Sequence, residues 1–310
     1  VQVAQQAQQS CSPVRVEAGT VAQQGLSFNR RFFMKDGPVR FNPGVLNPNI
    51  IKAAGPIDPD LGILLFRDAE GGAVRAGLIN FALHLDTVGG TRYAADYPFY
   101  LEQSLRKTWG QDFVLLFGTG CCGDINHIDV TRKERLKTDF IGQTLGETVT
   151  RQAESVTPIK QPALDTRHRR ISVPLQSYTQ GQLEQAQTDI HQINTAQLSF
   201  MEKVEAYKTL SLAKYQAESM DLEVQVFRLS DQVAVVGLPG EVFVDLGLAI
   251  RQASPFATTL IIELCQDAPG YIPTQKAFKE GSYETVNSRV APGSGESMVK
   301  AVIRLLAELG

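Results

Sequence analysis

The chain has 310 residues, enough for two domains or one large α/β domain. Lys and Arg number 30 against 33 Asp and Glu, a net charge of −3, so it lacks the basic excess that a nucleic-acid binder gathers into a patch. Hydrophobic residues at 43% and charged residues at 20% fit a packed globular protein, and four cysteines are too few for a disulfide scaffold of this size.

The chain opens on VQVAQQAQQ, an Ala- and Gln-rich stretch that reads as the tail of a helix. With no initiating Met and no signal-like segment, a processed or truncated product is expected. Strands are expected at Val14–Gly19, Gly62–Phe66, Val74–Leu83, Phe113–Phe117, Arg170–Pro174, Leu222–Leu229, Val233–Val236 and Thr259–Leu264. Helices are expected at Tyr97–Trp109, Asp139–Val156 and Met298–Glu308, the last with an apolar stripe of Met298, Val299, Val302, Leu305 and Leu306. The stretch SVTPIKQPALDTR reads as a linker over Val156–Arg167. Residues 177–220 form an insertion: Gly181–Glu218 has no Pro or Gly after Gly181 and predicts one long helix or a helical pair. A solvated surface hairpin and a lid over a lipid or peptide site are its two readings. The most apolar run, Val233–Ile250, contains Glu241, Asp245 and a Pro-Gly step, which do not suit a membrane span. The fold class expected is α/β in the mixed α+β sense, a central mixed sheet flanked by helices with a long helical insertion.

Of four histidines, His168 lies in the basic run RHRR and His191 in the Gln-rich insertion, and both read as solvated. His84 ends an apolar strand in NFALHLDTVGG, followed by Asp86 and a Gly turn, which aims polar groups at a loop. His127 stands in LLFGTGCCGDINHIDV, where a buried strand runs into several glycines that let backbone approach a ligand or metal. The segment is neither a P-loop nor a nucleophile elbow. Cys121 or Cys122 as a thiol nucleophile stays open, as do one or two disulfides among Cys11, Cys121, Cys122 and Cys265. In VAVVGLPGEVF a strand and a Pro-Gly turn put Glu241 at a strand end. In APGYIPTQKAFKEGSYE two turns bracket a short helix and present Tyr271, Tyr283 and Glu284.

Taken in order, NFALHLDTVGGTRYAADYPFY, FGTGCCGDINHID, GLPGE, GYIPTQKAFKEGSYE and SRVAPGSGE resemble blocks of the neutral/alkaline non-lysosomal ceramidase family over nearly the whole chain. NRRFFMKDG and NPGVLNPNIIKAAGPIDPDLG look like an uncharacterised bacterial branch of that family. The resemblance implies that residues 1–310 are a ceramidase-like catalytic domain, without the family's C-terminal immunoglobulin-like domain. It implies a zinc amidohydrolase that cleaves the N-acyl bond of a sphingolipid. The family holds one zinc through two His, one Glu and one Tyr. His84 matches the second histidine, Glu241 the carboxylate and Tyr283 the tyrosine, while the first histidine belongs to an upstream His-rich segment with no counterpart before His84. The family's Gly-Asp loop carries a serine required for its amidase activity, and Asn126 stands in that place.

On this reading zinc polarises the amide and activates water, Asn126 donates to the oxyanion, and His127 acts as general acid or replacement ligand. Asp86 and Asp124 orient an imidazole or are structural. The serine replacement leaves two alternatives, a zinc hydrolase of another amide or an ester, and a non-catalytic binding homologue. The resemblance further implies a ceramide-like or other N-acyl small-molecule substrate, no nucleic-acid partner, a peripheral membrane-surface contact and a secreted or envelope location.

Overall fold

The runs LGILLF and GLINF are almost unbroken apolar sequence, the pattern of strands covered on both faces. They fold into Asp60–Asp68 and Val74–Phe81, an antiparallel pair at the centre of a five-stranded sheet. The computed structural model describes residues 2–310. Val14–Ala22 pairs antiparallel with Asp60–Asp68, Thr157–Pro158 extends that edge, and Val114–Thr119 runs parallel to Val74–Phe81 on the other side. A second sheet has the order Pro162–Pro174, Ser219–Ser230, Val233–Gly237, Thr258–Ile262, its last pair parallel.

The two sheets face each other across Ala18, Leu64, Val233 and Leu260. Helices Tyr97–Trp109 and Thr138–Gln152 cover the outer face of the first sheet through Leu101, Leu105, Ile141, Leu145 and Val149. Val244–Ala253 and Ser294–Leu309 cover the second through Leu246, Ile250, Met298, Val302 and Leu306. Each such buried side chain contributes about 2 kcal/mol of transfer free energy. The mixed α+β class is as expected, and the single central sheet is in fact two facing mixed sheets, giving helix–sheet–sheet–helix layers.

The helix at Tyr97–Trp109 matches its expected bounds because its ends are marked in sequence: Asp96 accepts the Tyr97 N–H, Pro98 sits in the first turn and Gly110 follows the end. The insertion forms a helical pair, Gln180–Asp189 and Phe200–Tyr215, each opened by a reciprocal capping box, Thr179 with Gln182 and Ser199 with Glu202.

Three expectations are corrected. Most of the expected linker at Val156–Arg167 is strand: Thr157–Pro158 pairs with Val14–Ala22, and Pro162–Pro174 is an edge strand whose residues are mostly exposed. An edge strand wet on its outer face shows no apolar alternation, and two prolines read as loop. All four cysteines are free, Cys121 and Cys122 buried and Cys11 exposed. Four short strands, Phe28–Asn29, Arg31–Met34, Val39–Phe41 and Ile50–Ala53, occupy a stretch with no expected element. Among the described residues no helix is long and apolar enough to cross a membrane.

Candidate active site

Val74–Phe81 and Val114–Thr119 are parallel, so the segments that leave their C-terminal ends emerge together, a common place for sites in mixed sheets. The first segment carries His84 and Asp86, the second the loop Gly120–His127. Val233–Gly237 and Thr258–Ile262 are parallel in the second sheet and lead to Glu241 and Glu263. The sheets are joined at this end, where Glu263 N–H donates to the Thr119 carbonyl and Gly123 N–H to that of Val242.

Two glycines set the geometry. Gly240, in the Leu-Pro-Gly turn, has φ 79°, and the turn delivers Glu241 into a two-residue parallel pairing in which Glu241 lies beside Tyr271. At Gly123 a Cβ would stand 2.5 Å from the Glu241 carbonyl oxygen, so only glycine lets the loop close on the strand that carries Glu241.

His84 Nε2 lies 2.9 Å from Glu241 Oε2. Its Nδ1 is buried with no hydrogen-bond partner among the described residues. Burial pulls the imidazole down, but the Glu241 hydrogen bond and the neighbouring Glu263 carry it above its ordinary value. Burial opposes ionisation of Glu241, and the bond to His84 holds it below the usual carboxylate range. The Tyr271 hydroxyl is the phenol that faces Glu241, and burial pushes it up despite the nearby Arg30 charge.

Tyr283 stands one ring further out. Its centroid is 5.5 Å from that of Tyr271, it stacks on Phe41 at 4.7 Å, and its hydroxyl accepts from Asn287 Nδ2 at 3.2 Å. Thus His84 and Glu241 meet as the sequence reading requires, while the tyrosine beside them is Tyr271 rather than the Tyr283 assigned from resemblance. Glu241 and Tyr271 are joined by strand pairing between segments 30 residues apart in sequence, which no local pattern displays.

His127 is buried, and its Nδ1 lies 3.1 Å from Asp86 Oδ1, so Asp86 orients His127. Both ends of the Asn126 amide are engaged within the scaffold: Nδ2 donates to Asn42 Oδ1 at 2.8 Å and Oδ1 accepts from Ile128 N–H at 3.0 Å. That is a loop tie, and the oxyanion role expected of it has no support in this geometry. Asp124, buried and pushed up to about 6 by its burial, accepts from Asn29 Nδ2 and Val244 N–H and is structural. Burial raises the Cys121 and Cys122 thiols well above their ordinary value, so neither is an activated nucleophile.

Arg30 and Arg31 are the residues that sequence reasoning missed. Arg30 Nε and Arg31 Nη1 each donate to the fully buried Glu284 at 2.8 Å, and Arg30 Nη2 donates to the Gly123 carbonyl. The Arg30 guanidinium lies over Tyr271 and Tyr283, 5.4 and 5.8 Å from their centroids. One buried network thus ties the Gly123 loop to both tyrosines. The signal available was the arginine pair next to an asparagine and a short apolar run.

A metal fits this arrangement in part. Among the described residues no three His, Cys, Asp or Glu cluster as a metal site. Two donors about 2.0–2.1 Å from a tetrahedral ion lie about 3.3 Å apart. The separation of His84 Nε2 from Glu241 Oε2 is close to that, and the Tyr271 phenol beside Glu241 adds a third donor type.

No protein-family model matches the chain, and no curated protein does. Solved structures do. All of the chain superposes on neutral ceramidase from Pseudomonas aeruginosa with a TM-score of 0.71 and 15% identity, covering 54% of that chain. A structure described as ceramidase complexed with C2 matches over 98% of this chain and 55% of its own, with a TM-score of 0.69 and 15% identity. The fold is therefore ceramidase-like, and the chain spans about half the length of these proteins.

Proposed function

We propose that the chain is a metal-dependent amide hydrolase of ceramidase-like design, with zinc held by His84, Glu241 and Tyr271. The observation that carries this reading is the convergence of an imidazole, a carboxylate and a phenol from three distant segments. The likeness to two ceramidases in fold supports it. Water or a further side chain completes four donors. When bound, zinc polarises an acyl carbonyl and lowers the pKa of its water to about 7.

The chain's own residues do the rest. Asp86 fixes the His127 ring through Nδ1, leaving Nε2 to hand a proton to the leaving nitrogen. Arg30 holds the tyrosine rings in place and keeps its charge: burial is the largest single influence against it, and Glu284 and Tyr271 together outweigh it. Glu263 accepts both the Cys122 and Val242 N–H groups and so fixes the loop against the Glu241 strand.

A second reading keeps the hydrolase and changes the substrate. It is favoured by the engaged amide of Asn126, which stands where the ceramidase family carries a serine. The peripheral membrane-surface contact and the secreted or envelope location remain part of the proposal.

Metal analysis tests the core of it. The protein should carry one equivalent of zinc and lose it in His84→Ala and Glu241→Ala. Tyr271→Phe should weaken zinc retention more than Tyr283→Phe. Stoichiometric zinc in either alanine variant would remove that residue from the ligand set.

A further inference from the structure

Two sides of the candidate site differ in character. Next to His127 and Asp86 lies a cavity of about 540 Å3 that extends to Arg135 and Lys137 and is furnished with the hydroxyls of Tyr100 and Thr138. Leu136 is its one aliphatic side chain. Of its two acids, Asp86 is paired with His127, while the exposed Asp139 accepts the Phe140 N–H and keeps its charge. Among the described residues no ion pair involves Arg135 or Lys137, so the cavity presents two free cations.

From Glu241 a separate run of aromatic rings, none of them in that cavity, leads away through Tyr271. Tyr271 leads to Tyr283, which stacks on Phe41, and Phe200 lies 5.4 and 5.8 Å from those last two rings. Phe200 is the first residue of the second insertion helix and is 55% exposed, so the insertion contributes an open apolar surface to this shelf. Contacts link the parts in turn: the cavity holds Asp86 and His127, His84 meets Glu241, Glu241 lies beside Tyr271, and Tyr271 packs on Tyr283.

We infer that the substrate is an N-acyl amino acid, with its carboxylate on the Arg135–Lys137 side and its acyl chain on Phe41, Phe200 and Tyr283. This rests on the hydrolase reading and narrows it. A neutral amide of the same length would leave both cations without a partner, whereas a carboxylate gains charge-assisted hydrogen bonds. An apolar chain would find little to bury it in the polar cavity and a ready surface on the aromatic shelf. This polarity puts the amide nitrogen toward His127. The reaction is hydrolysis: a water oxygen bonds to the acyl carbon, the C–N bond breaks, and the nitrogen takes a proton, releasing a fatty acid and an amino acid.

N-dodecanoylglycine and N-dodecanoylethanolamine share one chain and differ in carboxylate against hydroxymethyl. Their kcat/KM ratio in the zinc-loaded protein should exceed about 10, the worth of one good charged contact. In the double variant Arg135→Glu, Lys137→Glu the ratio should fall to about one or below, as expected when like charge replaces a partner. A ratio of one in the unmodified protein, or one that charge reversal leaves unchanged, would overturn the inference while keeping the hydrolase. Phe200→Ala should lower the preference for N-dodecanoylglycine over N-acetylglycine, and an unchanged preference would remove the shelf. If neither dodecanoyl amide is cleaved, the inferred substrate class falls while hydrolysis of other acyl bonds stands, and calorimetry reads the charged subsite by itself. Tighter binding of the glycine conjugate, lost on charge reversal, supports the two-sided site; equal binding of the pair overturns it.

Discussion

His84 reaches the site from the end of a buried strand of eight residues, inside a sheet whose neighbours fix its direction. Tyr271 reaches the same place from a strand of two residues whose only paired neighbour among the described residues is Glu241–Val242. The first wall is held by ladder hydrogen bonds and apolar burial. The second is held by Arg30, Arg31 and Glu284, charges that are almost wholly buried. A regular sheet can position a residue without further help, whereas short pieces need a dedicated clamp, and in this chain the clamp is ionic.

The clearest way to break that contrast is Glu284→Ala. It removes the nearest carboxylate from two buried guanidinium groups at once, leaving Arg31 only its longer contact with Glu280 at 3.4 Å, and loss of one partner of a buried ion pair typically costs about 3–5 kcal/mol. Urea unfolding should show a loss of that order, against less than 1 kcal/mol for Glu223→Ala, whose exposed partner is Arg170. Comparable losses in the two variants would mean that the clamp does not hold the tyrosine wall.

A second test separates the walls by pH. Burial pushes the Glu263 carboxyl up to about 8, against the pull of the His84 charge and the N–H groups it accepts. Its ordinary value is 4.5. Between those limits the unfolded chain has released this proton while the metal-free folded protein keeps it, so the folded state binds more protons. Stability therefore falls as pH rises through that window, by at most about 1.4 kcal/mol per pH unit, and levels off above it. Glu263→Gln keeps an oxygen for the Cys122 and Val242 N–H groups and removes the titration. Its stability should be flatter between pH 5 and 8, as measured by chemical unfolding at a series of pH values. Parallel curves for the two proteins would show that Glu263 is already ionised at neutral pH.

This difference in construction also decides what could be read from sequence. The His84 wall was legible because VRAGLINFALHLD couples an apolar run to a polar exit, and Tyr97–Trp109 was legible because Asp96, Pro98 and Gly110 mark its ends. The pairing of His84 with Glu241 was suggested by resemblance alone, since nothing local links residues 157 apart in the chain. Tyr271 and Tyr283 occupy similar turns, and choosing between them needed the parallel pairing of Glu241 with Tyr271. The sequence around Arg30 and Arg31 carries no sign of their burial, because burial of an arginine depends on a partner 253 or 254 residues away. Asn126 showed its type in the sequence but not its engagement with Asn42.

The Gly123 loop is where the two walls touch, and Gly123→Ala sharpens the comparison there. The new methyl would meet backbone atoms of Glu241 and Val242, at 2.5 Å for the nearest, so neither side can yield by rotating a side chain. Overpacking of this kind costs about 1–3 kcal/mol, less than stranding two charges. The shift should move Glu241 away from His84, so zinc retention should fall further than the change in thermal midpoint alone would suggest. Unaltered zinc affinity together with a lowered midpoint would show that the loop supports the fold without setting the His84–Glu241 distance.

The smallest expected effect lies on the strand-built wall. Asp96 accepts from Thr87 N–H, Val88 N–H and Tyr97 N–H, and so ties the segment after His84 to the start of a helix. Its backbone, φ 55° and ψ −152°, is unusual for a residue with a Cβ, and asparagine places the same strain there. Asp96→Asn keeps one acceptor oxygen and turns an NH2 toward the donors of the other, so it should cost about 1 kcal/mol, whereas Asp96→Ala loses the cap and the tie and should cost about 2 kcal/mol. Hydrogen exchange at Thr87 and Val88 distinguishes local loosening from global loss. If Asp96→Ala speeds exchange at these two amides while the Val74–Phe81 strand stays protected, the wall is rigid up to residue 81 and only its polar exit depends on the cap. If protection falls equally along the strand, the exit and the strand unfold together, and the contrast with the ionically clamped wall narrows to its chemistry.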